Sequence, residues 1–254
     1  KNMKVTNKLY KGKVVLNFNS YKHRYTVGED VIPSVTTILS IINKPALVSW
    51  AARMATEYVT EKIEPGTSYD EVELGEIFDA AGKAHYMKKK KAGDVGTLVH
   101  NWIEDYINNK NPKMPVNAML QDAINNFLSW VEAHDVKFLL AEQPAYSKKH
   151  KYAGTIDFIC KIDGELYIGD IKTSKGIYVE YMIQTAAYRK AREEEYPEEK
   201  YAGQVIVRVG KDGSFETAVL RDEKVYESMV TAFLSAQKLQ RIMEDLKNYE
   251  PEGK

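Results

Sequence analysis

Cysteine is nearly absent from this chain. Cys160 is the one thiol in 254 residues, which excludes an intramolecular disulfide, a multi-cysteine zinc cluster and a four-cysteine iron–sulfur site within the chain. Long apolar runs are missing as well. None approaches the ~18 residues of a membrane span, and the Lys-rich start lacks the apolar segment of a secretory signal, so a soluble, cytoplasmic protein with no membrane partner is expected. Nor is there an excess of one charge: Lys and Arg number 36 against 36 Asp and Glu. Overall charge therefore points to no nucleic-acid partner, and any such binding must rest on local basic patches. Internal repeats and low-complexity linkers are also lacking.

What remains is ordinary globular composition, 44% hydrophobic and 28% charged. The length suits one large α/β domain or a core with a helical elaboration. Residues 13–32 alternate loosely around Gly28-Glu29-Asp30 and predict short strands. Pro33-Ser34 then opens a short helix over Val35–Ile42, and Pro45 a longer one to about Ile63. After the Pro65-Gly66 break, Tyr69–Lys91 has helical composition. A second break is expected at Gly93-Asp94, before helices over Gly96–Asn109 and Asn117–His134. The period then changes. Val136–Tyr146, Tyr152–Ile162 and Glu165–Lys172 read as three consecutive strands, followed by a helix over Val179–Glu195, a strand over Gln204–Val209 and a closing helix over Glu223–Asn248. This order predicts an α/β fold: a mixed central sheet flanked by helices, with a mainly helical N-terminal elaboration. Residues 1–93 are expected to form that elaboration and 94–254 the core.

The candidate chemistry lies in Tyr152-Ala-Gly-Thr-Ile-Asp157 and Gly169-Asp170-Ile-Lys172-Thr173. Asp163-Gly164 between them is a favoured two-residue hairpin loop. Ile162 then faces Glu165, and counting back along both arms sets Asp157 opposite Asp170. Lys172 projects from the same face as Asp170. Two opposed carboxylates repel, and a hard divalent cation, Mg²⁺ or Mn²⁺, would compensate them. Lys172 could hold or deprotonate the attacking water, or stabilise charge on a phosphate; as a base it would need a lowered pKa, which partial burial could supply. The same pattern also fits a solvated hairpin face in which Lys172 neutralises an acidic pair. Glu142 comes near Asp157 if the Lys148–Lys151 turn is symmetric, as an outer metal ligand or a structural acid.

These residues resemble the RecB-type branch of the PD-(D/E)XK nucleases, where four motifs recur in order. Gly96-Thr-Leu-Val-His100 matches a GxxxH motif, Gly154-Thr-Ile-Asp157 a G-T-x-D strand, Asp170-Ile-Lys172 a D-x-K strand and Gln184-Thr-Ala-Ala-Tyr188 a Q-x-x-x-Y helix. The resemblance covers about residues 94–195, and Pro33-Ser-Val-Thr-Thr-Ile-Leu39 resembles the N-terminal region of related exonucleases. It implies a restriction-endonuclease-like core and a Mg²⁺- or Mn²⁺-dependent deoxyribonuclease without an iron–sulfur cluster. His100, Asp157, Asp170 and the Ile171 carbonyl would be metal ligands, Asp157, Asp170 and Lys172 the catalytic set, and Gln184 and Tyr188 phosphate contacts or site supports. The partner it implies is DNA, single-stranded or with free ends, in replication, recombination or repair.

Other readings stand beside it. His100 shares a helical face with Ile103 and Ile107, which also fits a satisfied core histidine. Gln184 and Tyr188, with Tyr181 bordering them, also fit a polar helix edge. Lys88–Lys91 and Lys148–Lys151 fit either phosphate contacts or solvated surface. Trp50, Tyr58 and Tyr86 fit either base stacking or core packing. An exonuclease is expected; a structure-specific or double-strand endonuclease and a non-catalytic DNA-binding module are the alternatives.

Overall fold

The computed structural model describes residues 4–42, 44–247 and 249, apart from the side chains of Lys91, Ala92 and Asp94. The chain is α/β. In order its elements are β1 (Lys4–Leu9), β2 (Val14–Asn19), β3 (Arg24–Val27), β4 (Asp30–Ile32), α1 (Val35–Leu39), α2 (Pro45–Lys62), α3 (Glu71–Ile107) and α4 (Ala118–Ala133). There follow β5 (Lys137–Ser147), β6 (Tyr152–Ile162), β7 (Glu165–Lys172), α5 (Val179–Glu195), β8 (Tyr201–Val209), β9 (Phe215–Leu220) and α6 (Glu223–Leu246). Two compact units result, one from Lys1–Ile42 with Val99–Lys254 and one from Asn43–Leu98. The second is helical, made of α2 and the first part of α3. No helix among the described residues is long and apolar enough to cross a membrane.

The first unit carries two sheets. β1 to β4 form an antiparallel meander. The larger sheet has the order β5-β6-β7-β8-β9, antiparallel except where β7 and β8 run parallel. That parallel pair needs a crossover, which α5 supplies. At the β6–β7 turn Asp163 (φ +50°) and Gly164 (φ +88°) both occupy the left-handed region, the requirement of a tight hairpin whose twist matches its strands. Ile156, Ile159 and Ile168 of the sheet join Ala187, Tyr188 and Ala191 of α5 and Phe233 of α6 in the main core. Elsewhere Tyr106, Phe127, Phe138 and Phe158 meet ring against ring.

Several element boundaries differ from expectation. No break occurs at Gly93-Asp94: α3 runs through it as one helix, each interior glycine costing only ~1 kcal/mol against alanine. β1 carries only Leu9 buried, and β9 is a short strand with no fully buried residue, so neither has the apolar alternation that identifies a strand. α1 ends at Leu39, not Ile42. Asn248, the expected end of α6, lies outside the described residues. On α5, buried Arg189 pairs with Glu193 and Glu223, and Arg192 with Glu199. Charged residues on a covered helix are tolerable because each guanidinium is paired.

Candidate active site

Backbone pairing of β6 with β7 runs from Ile162↔Glu165 to Phe158↔Gly169. The register is the one counted from the Asp163-Gly164 turn. Asp157 and Asp170, expected to pair directly, stand one step beyond the last paired positions. There a side chain bridges the strands: the Ile171 N–H donates to Asp157 Oδ2 at 2.7 Å. Gly169 is needed beside Asp170 because Phe158 lies across it, and a Cβ there would overlap the Phe158 ring.

Asp170 is fully buried. Its Oδ1 accepts from Gln184 Nε2 at 3.2 Å. Its Oδ2 lies 2.6 Å from Lys172 Nζ, an ion pair by distance that misses the direction of a hydrogen bond, so Oδ2 has a charge partner and no hydrogen-bond donor. Lys172 Nζ also sits 4.8 Å from the centre of the Tyr181 ring, within cation–π range. His100, on α3, places Nε2 3.2 Å from Asp157 Oδ2, so it reaches the site and is not sealed in the core. Glu142 comes from β5. The pairs Ala141↔Phe158 and Gln143↔Ile156 bracket it opposite Asp157, and its φ of +49° lies in the left-handed region that non-glycine residues seldom adopt. Ligand atoms of His100, Glu104 and Glu142 all lie within 4.8 Å of one another.

Burial and crowding set the protonation of this cluster. Burial raises the Asp170 carboxyl to about 7 although Lys172 opposes the rise. Glu142 is likewise pushed up to about 7 by desolvation and by Asp157, with His100 opposing. Its side chain is exposed at the rim of the cluster. The hydrogen bond to Asp157 raises His100 above the ordinary imidazole value, outweighing burial. Lys172 corrects an expectation. Burial pushes its ammonium down, but Asp170 and Asp157 outweigh it and the net shift is upward. Lys172 is therefore held as a cation beside the two acids.

Gln184 and Tyr188 are both buried, which leaves little surface for a phosphate contact. Gln184 Nε2 donates to the Tyr188 hydroxyl at 3.0 Å as well as to Asp170, so the pair props Asp170. Glu104 was not anticipated. It lies four residues after His100 and so on the same helical face, which was the available signal. Gly154 gained its meaning only in three dimensions: a Cβ would overlap Tyr188 Cε1, with Cδ1 and Cζ at 3.3 Å. The Gly154 and Tyr188 motifs are thus two halves of one contact.

The remaining candidates lie elsewhere. Lys148, Lys149 and Lys151 are exposed in the β5–β6 turn, on the order of 20 Å along β6 from Asp157, and the His150 carbonyl accepts from Gln237 and Arg241 of α6. Lys88, Lys89 and Lys90 are exposed on the part of α3 that belongs to the helical unit, as is Tyr86; the Lys91 side chain lies outside the description. Trp50 meets His85 edge to face at 6.3 Å, and Tyr58 lies under Lys62; neither is fully buried.

By donor chemistry, Asp157, Asp170, Glu142 and Glu104 offer hard oxygens and His100 one imidazole, a set suited to Mg²⁺ or, with its nitrogen, Mn²⁺. Desolvation and the neighbouring Asp157 carboxylate raise Glu142, a crowding of acids that a cation would relieve, so the residues fit one. No family model matches the sequence, and no curated protein matches it. Among solved structures, the crystal structure of SSO0001 is similar over 75% of this chain and 86% of its own, at 12% sequence identity and a TM-score of 0.29, a value too low to carry an argument.

Proposed function

We propose that this chain is a Mg²⁺- or Mn²⁺-dependent deoxyribonuclease that hydrolyses phosphodiester bonds from a free end, in DNA replication, recombination or repair. The observation that carries this reading is the buried Asp170–Lys172 pair gathered with Asp157, Glu142 and His100 where the pairing of β6 with β7 stops. Strongly perturbed, incompletely satisfied ionisable groups in one cluster mark functional sites more often than structural ones. The resemblance of the four ordered motifs to RecB-type nucleases implies the substrate class.

Asp157, Asp170, His100 and the Ile171 carbonyl would hold the ion, with Glu142 and Glu104 beside them. When bound, it supplies Lewis acidity toward a phosphoryl oxygen and a lowered pKa for water. The Ile171 N–H fixes the Asp157 carboxylate, and Gln184 fixes that of Asp170. Lys172, kept cationic by those two acids, stabilises the negative charge that builds on the phosphate oxygens as a water oxygen bonds to phosphorus and the ester P–O bond breaks, the water's proton going to solvent and the departing oxygen taking one from it.

A digestion time course on 5′- and 3′-labelled linear strands, duplexes and circular single strands, with Mg²⁺ or Mn²⁺, tests this. Linear strands should be shortened from one end while circles persist. Cut circles would assign an endonuclease, and intact DNA in every lane would remove the nuclease reading.

A further inference from the structure

A cavity of about 240 Å³ opens beside the site, lined by Phe18, Tyr25, Ser34, Thr37, Thr155 and Tyr188 among others. It is smaller than the ~300–1,000 Å³ of sites for drug-sized ligands, a scale that suits one planar ring system. The β2–β3 register sets Phe18 opposite Tyr25, with ring centres 4.6 Å apart and planes 31° from parallel. Phe18 is only half-buried, so it offers a stacking surface backed by a second ring. The lining also carries hydroxyl groups. The Tyr25 and Thr155 hydroxyls share a hydrogen bond of 2.9 Å, and those of Ser34 and Thr37 one of 2.7 Å. The Pro33 carbonyl accepts from the Ala153 N–H at 3.0 Å, which fastens the Ser34 segment to β6. Among the described residues no lysine or arginine lines the cavity and His23 is its one basic side chain, so it suits an uncharged ring better than a phosphate.

Two links join this cavity to the catalytic cluster. Thr155 precedes Asp157 by two residues, about 7 Å along β6. Tyr188 contributes its ring to the cavity wall while its hydroxyl accepts from Gln184, which holds Asp170. We infer that the cavity receives the unpaired base of a nucleotide flanking the scissile phosphate, which makes single-stranded DNA the substrate form. The inference rests on the nuclease reading for the identity of its ligand. A base within a duplex is stacked and paired and cannot enter, whereas a single strand presents its rings to an aromatic platform. The Pro33–Leu39 segment then has a role as the hydroxyl-bearing wall of that subsite.

The test is fluorescence anisotropy in chelator with a labelled single strand in which one abasic nucleotide is moved along the sequence. At one position the abasic substitution should weaken wild-type binding roughly 5- to 140-fold, and Phe18→Ala should weaken the intact strand by the same factor and erase the abasic effect. Phe18→Leu, which keeps the apolar bulk without the π face, should show most of the same loss if Phe18→Ala fails to fold by circular dichroism. A flat abasic series, or one unchanged in both variants, overturns the inference. Parallel Mn²⁺ digestions separate the two claims. Cleavage with a flat series removes the base subsite alone; a position-specific abasic effect without cleavage removes the nuclease reading and leaves a single-strand site.

Discussion

Gly154→Ala probes the contact that couples the Asp157 strand to the helix supporting Asp170. Gly154 and Tyr188 are both buried, and the added methyl would overlap Tyr188 Cε1. The φ of Gly154 is not among the positive ones, so alanine costs nothing in backbone conformation and the whole effect is steric. Overpacking of this kind costs ~1–3 kcal/mol. The upper half of that range is expected, because a displaced ring also strains the hydrogen bond from Gln184. At ~2–3 kcal/mol the Tm should fall by roughly 4–12 °C for a chain of this size. Tyr188→Ala by itself should cost ~3–5 kcal/mol. With the ring gone the alanine at 154 fits, and its added cost should drop below ~0.5 kcal/mol, leaving a coupling energy of about 2 kcal/mol. Urea titrations of the four proteins of the cycle, with Tyr188→Leu in reserve, measure this. A Gly154→Ala penalty that is the same with and without the tyrosine ring would refute the contact.

Other consequences follow from the same site. In chelator, the folded protein keeps protons on Asp170 and Glu142 up to about 7, while the unfolded chain releases them in the ordinary range near ~4. Stability should therefore decline as pH rises through that window, by up to a few kcal/mol for buried Asp170 and less than about 1 kcal/mol for rim-exposed Glu142; saturating Mn²⁺ should flatten the slope, and a metal-free urea midpoint that rises from pH 5 to 8 would count against it. Lys172→Met should cut turnover at least ~100-fold without the rescue at high pH that a missing general base would show, which a pH–rate profile decides. The Cys160 thiol, fully buried and pushed up to about 12, should react with a thiol reagent at pH 8 roughly a thousandfold more slowly than an ordinary cysteine. Labelling at the ordinary rate in native buffer would contradict that burial.

Much of the fold and the cluster could be read from local rules. The Asp163-Gly164 turn set the β6–β7 register, and with it the approach of Asp157, Asp170 and Lys172. What escaped depended on departures from regular geometry or on burial. Alternation along a strand cannot report that pairing stops after Phe158↔Gly169, or that Glu142 leaves the ladder at positive φ. The direction of the Lys172 shift depends on a contest between desolvation and two acids, whose outcome requires the distances. The opposition of Gly154 and Tyr188 joins residues 34 apart in sequence whose contact no local pattern encodes. β1 and β9 were lost because edge strands with little burial carry little hydrophobic signal.

Single-turnover cleavage of an end-labelled single strand by Asp157→Asn beside wild type, across a Mn²⁺ series, tests the central claim most directly. The variant keeps the size of the side chain and loses the charge that pairs with His100 and would hold the ion. Wild type should cut in Mn²⁺ and not in chelator, and Asp157→Asn should be at least ~100-fold slower at every concentration. Equal rates for the two folded proteins, or cleavage by wild type that persists in chelator, would contradict a metal-dependent site where the pairing of β6 with β7 stops.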